Sequence, residues 1–229
     1  MKITWLGQAG LLFDNGNIRI MIDPYLSDSV EKVNPLSYRR APVEKRFFNV
    51  TPDVMIFTHD HFDHYDPETA AVFLASGRKP MTVLCPTSVW QKARQNGGGH
   101  NYVEFNRHTE WTEYGFRFRA VKAAHSDHFA IGVVIEDFEE NKIYYVTGDT
   151  LYSGEIFADL PADIDVVFLP INGVGNNMNA TDAARLAGKC GARFAVPYHV
   201  GMFDEKTADI FDAENKLALE IYKETEIKI

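Results

Sequence analysis

Short apolar runs separated by polar turns recur along this chain and predict an α+β protein rich in β-strands. Runs of about four to eight residues, alternating or fully apolar, are typical of strands, and longer helical patterns begin at capping residues. Strands come first, and strands and helices then alternate, an order that two sheets with helices on their outer faces would satisfy. The predicted strands are 3–6, 10–13, 18–22, 54–57, 81–84, one near 103, 116–120, 129–135, 142–147, 164–170 and 194–196.

Helix starts are marked by local capping signals. Asp66-Pro67-Glu68 combines an N-cap residue, a proline suited to the first turn and an acidic side chain, and predicts a helix to about Ser76. A second helix is predicted from Thr87 to a stop before Gly97. A third starts at the capping sequence 179–182 and runs to about residue 188, and further helices are predicted through Tyr222. No repeat or linker breaks the pattern, so we predict one domain over residues 1–229.

A polar, irregular segment at 26–52 is typical of a functional loop. It contains a basic loop, residues 39–46, with Arg39, Arg40, Lys45 and Arg46. The chain is otherwise acidic, with a formal net charge of −9 and a pI of about 5.3. This acidity argues against a nucleic-acid partner but leaves room for a small anionic substrate held by a local basic patch. A solvated run of charge explains the basic loop equally well.

The segment Thr58 to His64 has the highest density of potential metal ligands in the chain, with three histidines and two aspartates directly after the apolar run 54–57. Imidazole is the commonest metal ligand among side chains, and carboxylate is its usual partner. His59 and His61 are two residues apart, so an extended backbone would point both to one side. Asp63 and His64 follow a turn, and the segment therefore offers two adjacent half-sites for metal.

Further candidate ligands follow the ends of later strands, where active-site loops normally lie. These residues are His125, Asp149 and His199. His100 and His108 lie in polar surroundings and are predicted to be surface residues. His128 remains ambiguous: it could line the site, but His125 comes sooner after its strand.

The two cysteines, Cys85 and Cys190, lie outside any metal-type spacing and are predicted to be free thiols in a reducing compartment. The N-terminus lacks the features of a signal peptide, and no apolar run is long enough to cross a bilayer. We therefore expect a cytoplasmic protein without a membrane partner.

The order His59-x-His61-x-Asp63-His64, His125, Gly148-Asp149 and His199 resembles the metallo-β-lactamase superfamily over nearly the whole chain. Asp23 is similar to an early aspartate of that superfamily, which supports the histidine loop by hydrogen bonding. The segments 147–153, 179–184 and 196–199 resemble more narrowly the L-ascorbate-6-phosphate lactonase (UlaG-like) branch. The chain lacks the terminal extensions of the larger lactonases.

The resemblance implies a four-layer αββα sandwich of two mixed sheets, with helices on both outer faces and two divalent ions per chain. The implied ligands are His59, His61 and His125 for one ion, Asp63, His64 and His199 for the other, and Asp149 as a bridge. The resemblance implies zinc or manganese as the metal. It leaves iron, nickel and a homo-oligomeric assembly open.

The predicted function is hydrolysis of a small anionic ester or lactone, most simply a sugar-acid lactone phosphate. A hydroxide bridging the two ions would be the nucleophile, and Asp63 and Asp149 would be the catalytic side chains. The predicted substrate contacts are Arg39, Arg40, Asn177 and His128. The alternatives are a phosphodiesterase or nuclease on the same site, redox chemistry at iron, and a non-enzymatic metal-binding sensor.

Overall fold

A computed structural model describes residues 1–200 and 207–228, and in these ranges thirteen strands form two sheets. In chain order the strands are β1 (Lys2–Gly7), β2 (Gly10–Asp14), β3 (Arg19–Ile22), β4 (Val54–Ile56), β5 (Thr82–Cys85), β6 (Asn101–Glu104), β7 (Glu110–Glu113), β8 (Phe116–Lys122), β9 (Ile131–Asp137), β10 (Lys142–Val146), β11 (Val166–Pro170), β12 (Phe194–Tyr198) and β13 (Glu224–Glu226). The first sheet has the order β13-β1-β2-β3-β4-β5-β6, and the second has the order β12-β11-β10-β9-β8-β7.

Both sheets mix parallel and antiparallel pairs. In the first sheet β3 to β6 are parallel neighbours, and β13, β1, β2 and β3 pair antiparallel. In the second sheet β10, β11 and β12 are parallel, and β7 to β10 form an antiparallel meander. The carboxyl ends of β8, β10, β11 and β12 therefore lie at one edge of the second sheet.

Helices cover both outer faces. The α-helices are α1 (Ser29–Val33), α2 (Pro67–Phe73), α3 (Thr87–Arg94) and α4 (Ala180–Cys190). Phe73 of α2 and Val89 of α3 pack with Met55 on the outer face of the first sheet. Leu186 of α4 packs with Val167 on the outer face of the second sheet.

Apolar side chains of the two sheets meet in the core between them. The Phe13 ring contacts the edges of Tyr144 and Phe168, with ring centroids 5.5 and 5.6 Å apart. Burial of such large aromatic rings is the main force that holds two sheets together. The predicted α+β class and four-layer αββα sandwich are confirmed.

Two of the predicted helix starts are confirmed in atomic detail. The Asp66 carboxylate accepts a hydrogen bond from the Glu68 backbone N–H at 3.2 Å, with Pro67 as the first helical residue. Asn179 caps α4 in the same way through the Asp182 N–H at 2.9 Å. The helix α2 ends at Phe73, before the predicted end at Ser76.

The helices predicted through Tyr222 are wrong for the described residues, and residues 201–206 of that stretch lie outside them. Residues 208–210 form one 3₁₀ turn, and the chain then continues in extended form. Leu217, Leu219 and Ile221 alternate with the exposed residues Ala218 and Glu220, a period of two that suits pairing against a sheet. An isolated bridge joins Ile221 to Trp5, and β13 adds to the edge of the first sheet.

Two strands and the content of one loop also differ from the sequence prediction. The strands β7 and β13 were not predicted, and segment 26–52 contains α1 and a 3₁₀ turn at Lys45–Asn49.

Cys85 and Cys190 are free thiols, as predicted. Within the described residues, no helix is both long enough and apolar enough to span a membrane.

Candidate metal centre

Every residue predicted as a metal ligand lies at the edge where the two sheets meet. The backbone N–H of Ile131 donates to the carbonyl of Thr58 at 3.0 Å, which joins the second sheet to the histidine loop of the first. The ligand atoms fall into two groups, and within each group they all lie within 4.8 Å of one another. The first group is His59, His61, His125 and Asp149, and the second is Asp63, His64 and His199.

The first group brings three imidazoles to one point. His61 Nδ1 lies 3.1 Å from His59 Nε2 and 3.1 Å from His125 Nε2. One hydrogen atom cannot satisfy three converging nitrogens, and their lone pairs repel unless a cation lies between them. The donor chemistry of this group fits a divalent ion such as zinc or manganese.

Asp149 lies between the two groups. Its Oδ2 is 4.0 Å from His125 Nε2, and its Oδ1 is 3.2 Å from His64 Nε2 and 3.4 Å from His199 Nε2. The two oxygens of one carboxylate therefore face different donor groups. The second group is completed by Asp63, whose Oδ2 is 3.3 Å from His199 Nε2.

Two ligand atoms are buried without a hydrogen bond to any described residue, His64 Nε2 and Asp149 Oδ1. They face each other at 3.2 Å, but not in hydrogen-bonding geometry. A buried polar atom without a partner is costly, by about 1–3 kcal/mol. A metal ion at this point would give both atoms a partner, so the geometry favours a bound cation here.

The charges of the two groups differ. Burial lowers the pKa of His59 well below its usual value and also lowers the pKa of His125, so both rings are neutral near pH 7. Burial also works to lower the pKa of His64, but Asp149 and Asp23 outweigh it and raise that pKa well above its usual value. The first group therefore presents neutral nitrogen donors, whereas the carboxylates around the second group hold a protonated imidazole, a positive charge that a metal ion would replace.

The ring nitrogens turned away from the centre are held by fixed partners, which sets the orientation of each ring. Asp23 Oδ2 accepts from His64 Nδ1 at 2.8 Å, and the Asp23 carboxylate also accepts from the Thr58 N–H at 2.8 Å. Asn172 Nδ2 lies 2.9 Å from His199 Nδ1. Asp23 thus makes the contacts to the histidine loop that the resemblance implies.

Gln8 also lies in the centre, although it was not among the predicted site residues. Its Nε2 donates to Asp63 Oδ2 at 2.7 Å and lies 3.2 Å from His199 Nε2. The residue is buried, and its φ of 48° lies in the left-handed region. No sequence signal singles out Gln8, because an uncharged residue in the turn between β1 and β2 is recognisable only by its contacts.

The basic loop makes contacts of its own. The Arg39 guanidinium is buried and donates to the carbonyl of Tyr25 at 2.6 Å and to the hydroxyl of Tyr222 at 2.8 Å. Arg40 is exposed and donates to the Tyr38 hydroxyl at 3.0 Å. Arg39 therefore ties the loop to the body of the protein, and substrate contact by either arginine remains a prediction.

The other two predicted substrate contacts lie next to the ligands. Asn177 is buried, and its Nδ2 donates to Asp149 Oδ2 at 2.8 Å, so its amide orients a ligand. His128 is exposed and lines a cleft that it shares with His125. Asp60 stands apart from the ligands and forms an ion pair with Lys92 at 2.5 Å.

Comparison with known proteins identifies the family to which the chain belongs. A family model described as "Beta-lactamase superfamily domain" matches residues 18–200. A UPF0173 protein of Pyrococcus furiosus is 27% identical over 216 residues, covering 93% of this chain and 90% of that protein. A UPF0173 metal-dependent hydrolase of Ligilactobacillus salivarius is 28% identical over 218 residues, with the same two coverages of 93% and 90%.

Solved structures share the fold at lower identity. An isothiocyanate hydrolase from Delia radicum gut bacteria superposes with a TM-score of 0.73 at 17% identity, and the match covers 100% of both chains. Igni18, a metallo hydrolase from Ignicoccus hospitalis, has a TM-score of 0.69 at 20% identity and covers 99% of both chains.

Proposed function

The chain belongs to the β-lactamase superfamily, and we propose that it is a metal-dependent hydrolase that opens a small anionic ester or lactone on a pair of divalent ions. The position of Asp149 carries this proposal, because its two oxygens face the two donor groups from opposite sides. Two cations held close together need a negative bridge, which this carboxylate would provide. Relatives named as metal-dependent hydrolases support the same class of reaction.

In the proposed reaction, the side chains of the two donor groups hold the ions, and the ions supply the chemistry of bond cleavage. When bound, two divalent ions would supply a water acidic enough to attack near neutral pH and would polarise the carbonyl oxygen. His59, His61 and His125 would hold one ion, and Asp63, His64 and His199 the other. Attack by such a water needs no covalent enzyme intermediate.

Asp63 is the carboxylate best placed to move a proton. Its side chain is 16% exposed, against 5% for Asp149 and 0% for Asp23, so it is the carboxylate that a substrate would reach. Burial works to raise the pKa of Asp63, but His64 and His199 outweigh it and lower the pKa. Asp63 is therefore ionised at neutral pH and would accept a hydrogen bond from the attacking water, with Gln8 fixing its Oδ2.

The size of the neighbouring cleft supports a small substrate. The cleft that opens beside His125 has a volume of about 280 Å³, below the range of about 300–1,000 Å³ for drug-sized ligands. The acidic chain disfavours a nucleic-acid strand. A lactone of the L-ascorbate-6-phosphate type is the substrate class that the sequence motifs favour.

Metal analysis followed by a substrate screen tests the proposal. Metal-free protein is reconstituted with zinc, manganese, iron or nickel and assayed against lactones, carboxylic esters and bis-p-nitrophenyl phosphate. We expect about two ions per chain and hydrolysis of a lactone or ester. Cleavage of the phosphodiester alone would favour a phosphodiesterase, and metal binding without any hydrolysis would favour a sensor.

A matched pair of variants distinguishes the loss of the bridging carboxylate from a general loss of acidic charge. Asp149→Asn should lower the metal content to one ion or fewer and reduce kcat by at least about a hundred-fold. Asp60→Asn removes the same charge from a carboxylate that pairs with Lys92, and it should change neither quantity. Full activity and metal content in Asp149→Asn would overturn the proposed bridging role.

A further inference from the structure

A cleft beside the first donor group carries a positive charge that the described residues leave unpaired. Its lining includes His125, so it opens directly on the metal centre. The lining also includes Lys122, Asp127, His128, Leu151 and Asn176. His128 is a predicted substrate contact, but neither the sequence motifs nor the comparisons give Lys122 a role.

Lys122 is the source of the positive charge. It is the last residue of β8, where it pairs with Ile131, and its backbone N–H donates to Asp159 at 2.8 Å. The Asp159 carboxylate also binds the Arg107 guanidinium at 2.6 and 2.9 Å, which neutralises it. Among the described residues, the Lys122 ammonium has neither an ion pair nor a hydrogen bond.

The carboxylate in the cleft belongs to Asp127, and it already accepts hydrogen bonds from the protein. Asp127 Oδ2 accepts from the Asp60 N–H at 3.1 Å and from the Ser88 hydroxyl at 2.6 Å, and Oδ1 accepts from the Phe129 N–H at 2.9 Å. These bonds turn Asp127 toward the protein, where it fixes the histidine loop to α3. The ammonium therefore remains available to a ligand in a chain with an excess of acidic residues.

We propose that Lys122, assisted by His128, forms a subsite for an anionic oxygen group of the substrate, a carboxylate or a phosphate. The inference rests on the proposed function, because it assumes that the reacting bond lies at the metal centre. An ammonium is a compact point charge that suits either group. His128 is exposed in the same cleft, and Leu151 supplies an apolar wall, 44% exposed, for the carbon skeleton between the two ends.

Calorimetric binding of unreactive anions tests the subsite without relying on turnover. Metal-loaded protein is titrated with glutarate, which has two carboxylates, and with butyrate, which has one on the same three-carbon skeleton. Wild-type protein should bind glutarate about ten-fold more tightly, the gain from one charge-assisted hydrogen bond. Replacing glutarate by 4-phosphonobutanoate shows which anionic group the subsite prefers.

The preference for glutarate should disappear in Lys122→Met, which keeps most of the side-chain bulk, and should survive in Lys122→Arg. Lys45→Met removes the same charge from the basic loop, in a different cleft, and should leave the preference intact. Three results would each overturn the inference: no preference in wild-type protein, an undiminished preference in Lys122→Met, or a loss of the preference in Lys45→Met.

Hydrolysis of matched esters distinguishes failure of the subsite from failure of the proposed function. The pair is mono-4-nitrophenyl glutarate and 4-nitrophenyl butyrate, which share a leaving group. Lys122→Met should lower kcat/KM about ten-fold for the anionic ester alone. Equal effects on both esters would overturn the subsite. Binding of glutarate through Lys122 without cleavage of any ester or lactone would support the subsite and overturn the hydrolase proposal.

Discussion

The Asp23→Asn substitution tests how the fold prepares the second donor group for metal. Asp23 is fully buried and accepts three hydrogen bonds, from the Thr58 N–H at 2.8 Å, the Thr58 hydroxyl at 2.5 Å and His64 Nδ1 at 2.8 Å. A carboxylate can accept all three. An asparagine of the same shape carries one acceptor oxygen and one donor nitrogen, so one of its two sides must face a donor.

The better orientation of the amide keeps its oxygen on the Thr58 N–H and turns its nitrogen toward His64. His64 Nδ1 must then accept a hydrogen bond, so a neutral His64 ring carries its proton on Nε2, the atom that points at Asp149 and the second donor group. Loss of such an orienting partner typically reduces metal affinity about 10–100-fold, or about 1.4–2.7 kcal/mol. Loss of the bonds to a charged acceptor should also lower the free energy of unfolding of the metal-free protein by about 1.5–3 kcal/mol.

Competition with a chromophoric chelator measures the affinity of each ion, and urea denaturation measures stability. Asp137→Asn is the matched control, because Asp137 is also buried but lies at the far end of β9, about 20 Å from Ile131. We expect this control to lose stability and to keep both metal affinities. Wild-type affinity for both ions in Asp23→Asn would refute the reasoning about the His64 proton.

Three further predictions concern positions around the centre. Gln8→Leu removes the donor to Asp63 Oδ2 and should weaken the second ion about ten-fold in chelator titrations, with the first ion unaffected. Gly148→Ala should destabilise the protein by about 2 kcal/mol or more in urea melts, because φ is +62° and a Cβ would lie 2.6 Å from the Ile131 carbonyl oxygen. Gly154→Ala, with open space around it, should be neutral. Burial works to raise the pKa of Asp159, but Arg107 and the Lys122 N–H outweigh it and lower the pKa from 3.8 to about 2. Asp159→Asn should therefore cost about 1–2 kcal/mol at pH 7, and urea melts should show the difference from wild type shrinking as the pH falls from about 4 to about 2; a constant difference would contradict this.

The convergence of the candidate metal ligands could be predicted from the sequence because several of them follow apolar runs. His59, His125 and His199 each come shortly after a strand that contributes buried side chains to the core. A buried strand end leaves its next residue at the edge of a sheet, so this pattern carries positional information as well as chemistry. The approximate strand positions were predictable for the same reason.

Residues that orient the ligands, rather than bind metal themselves, show no such sequence pattern. Gln8 and Asn172 are uncharged, and each is recognisable only once the imidazole or carboxylate that it contacts has been placed. Arg39 sits in a run of basic residues, yet its contacts to Tyr25 and Tyr222 come from opposite parts of the chain. The C-terminal segment has helix-forming residues such as Glu220 and Lys223, but the edge of the first sheet offered unpaired backbone groups that an extended chain could satisfy.

The charge of the centre explains how an acidic protein could favour an anionic substrate. The net charge of −9 belongs to the whole surface, and salt screens exposed charges beyond about 8 Å under physiological conditions. Inside the centre, the carboxylates Asp23, Asp63 and Asp149 contribute three negative charges, whereas two divalent ions would contribute four positive ones. The unpaired ammonium of Lys122 adds to this local excess at the mouth of the same cleft. A substrate anion would therefore meet positive charge along the whole cleft, and the same argument requires that removal of the ions should weaken glutarate binding more than Lys122→Met does.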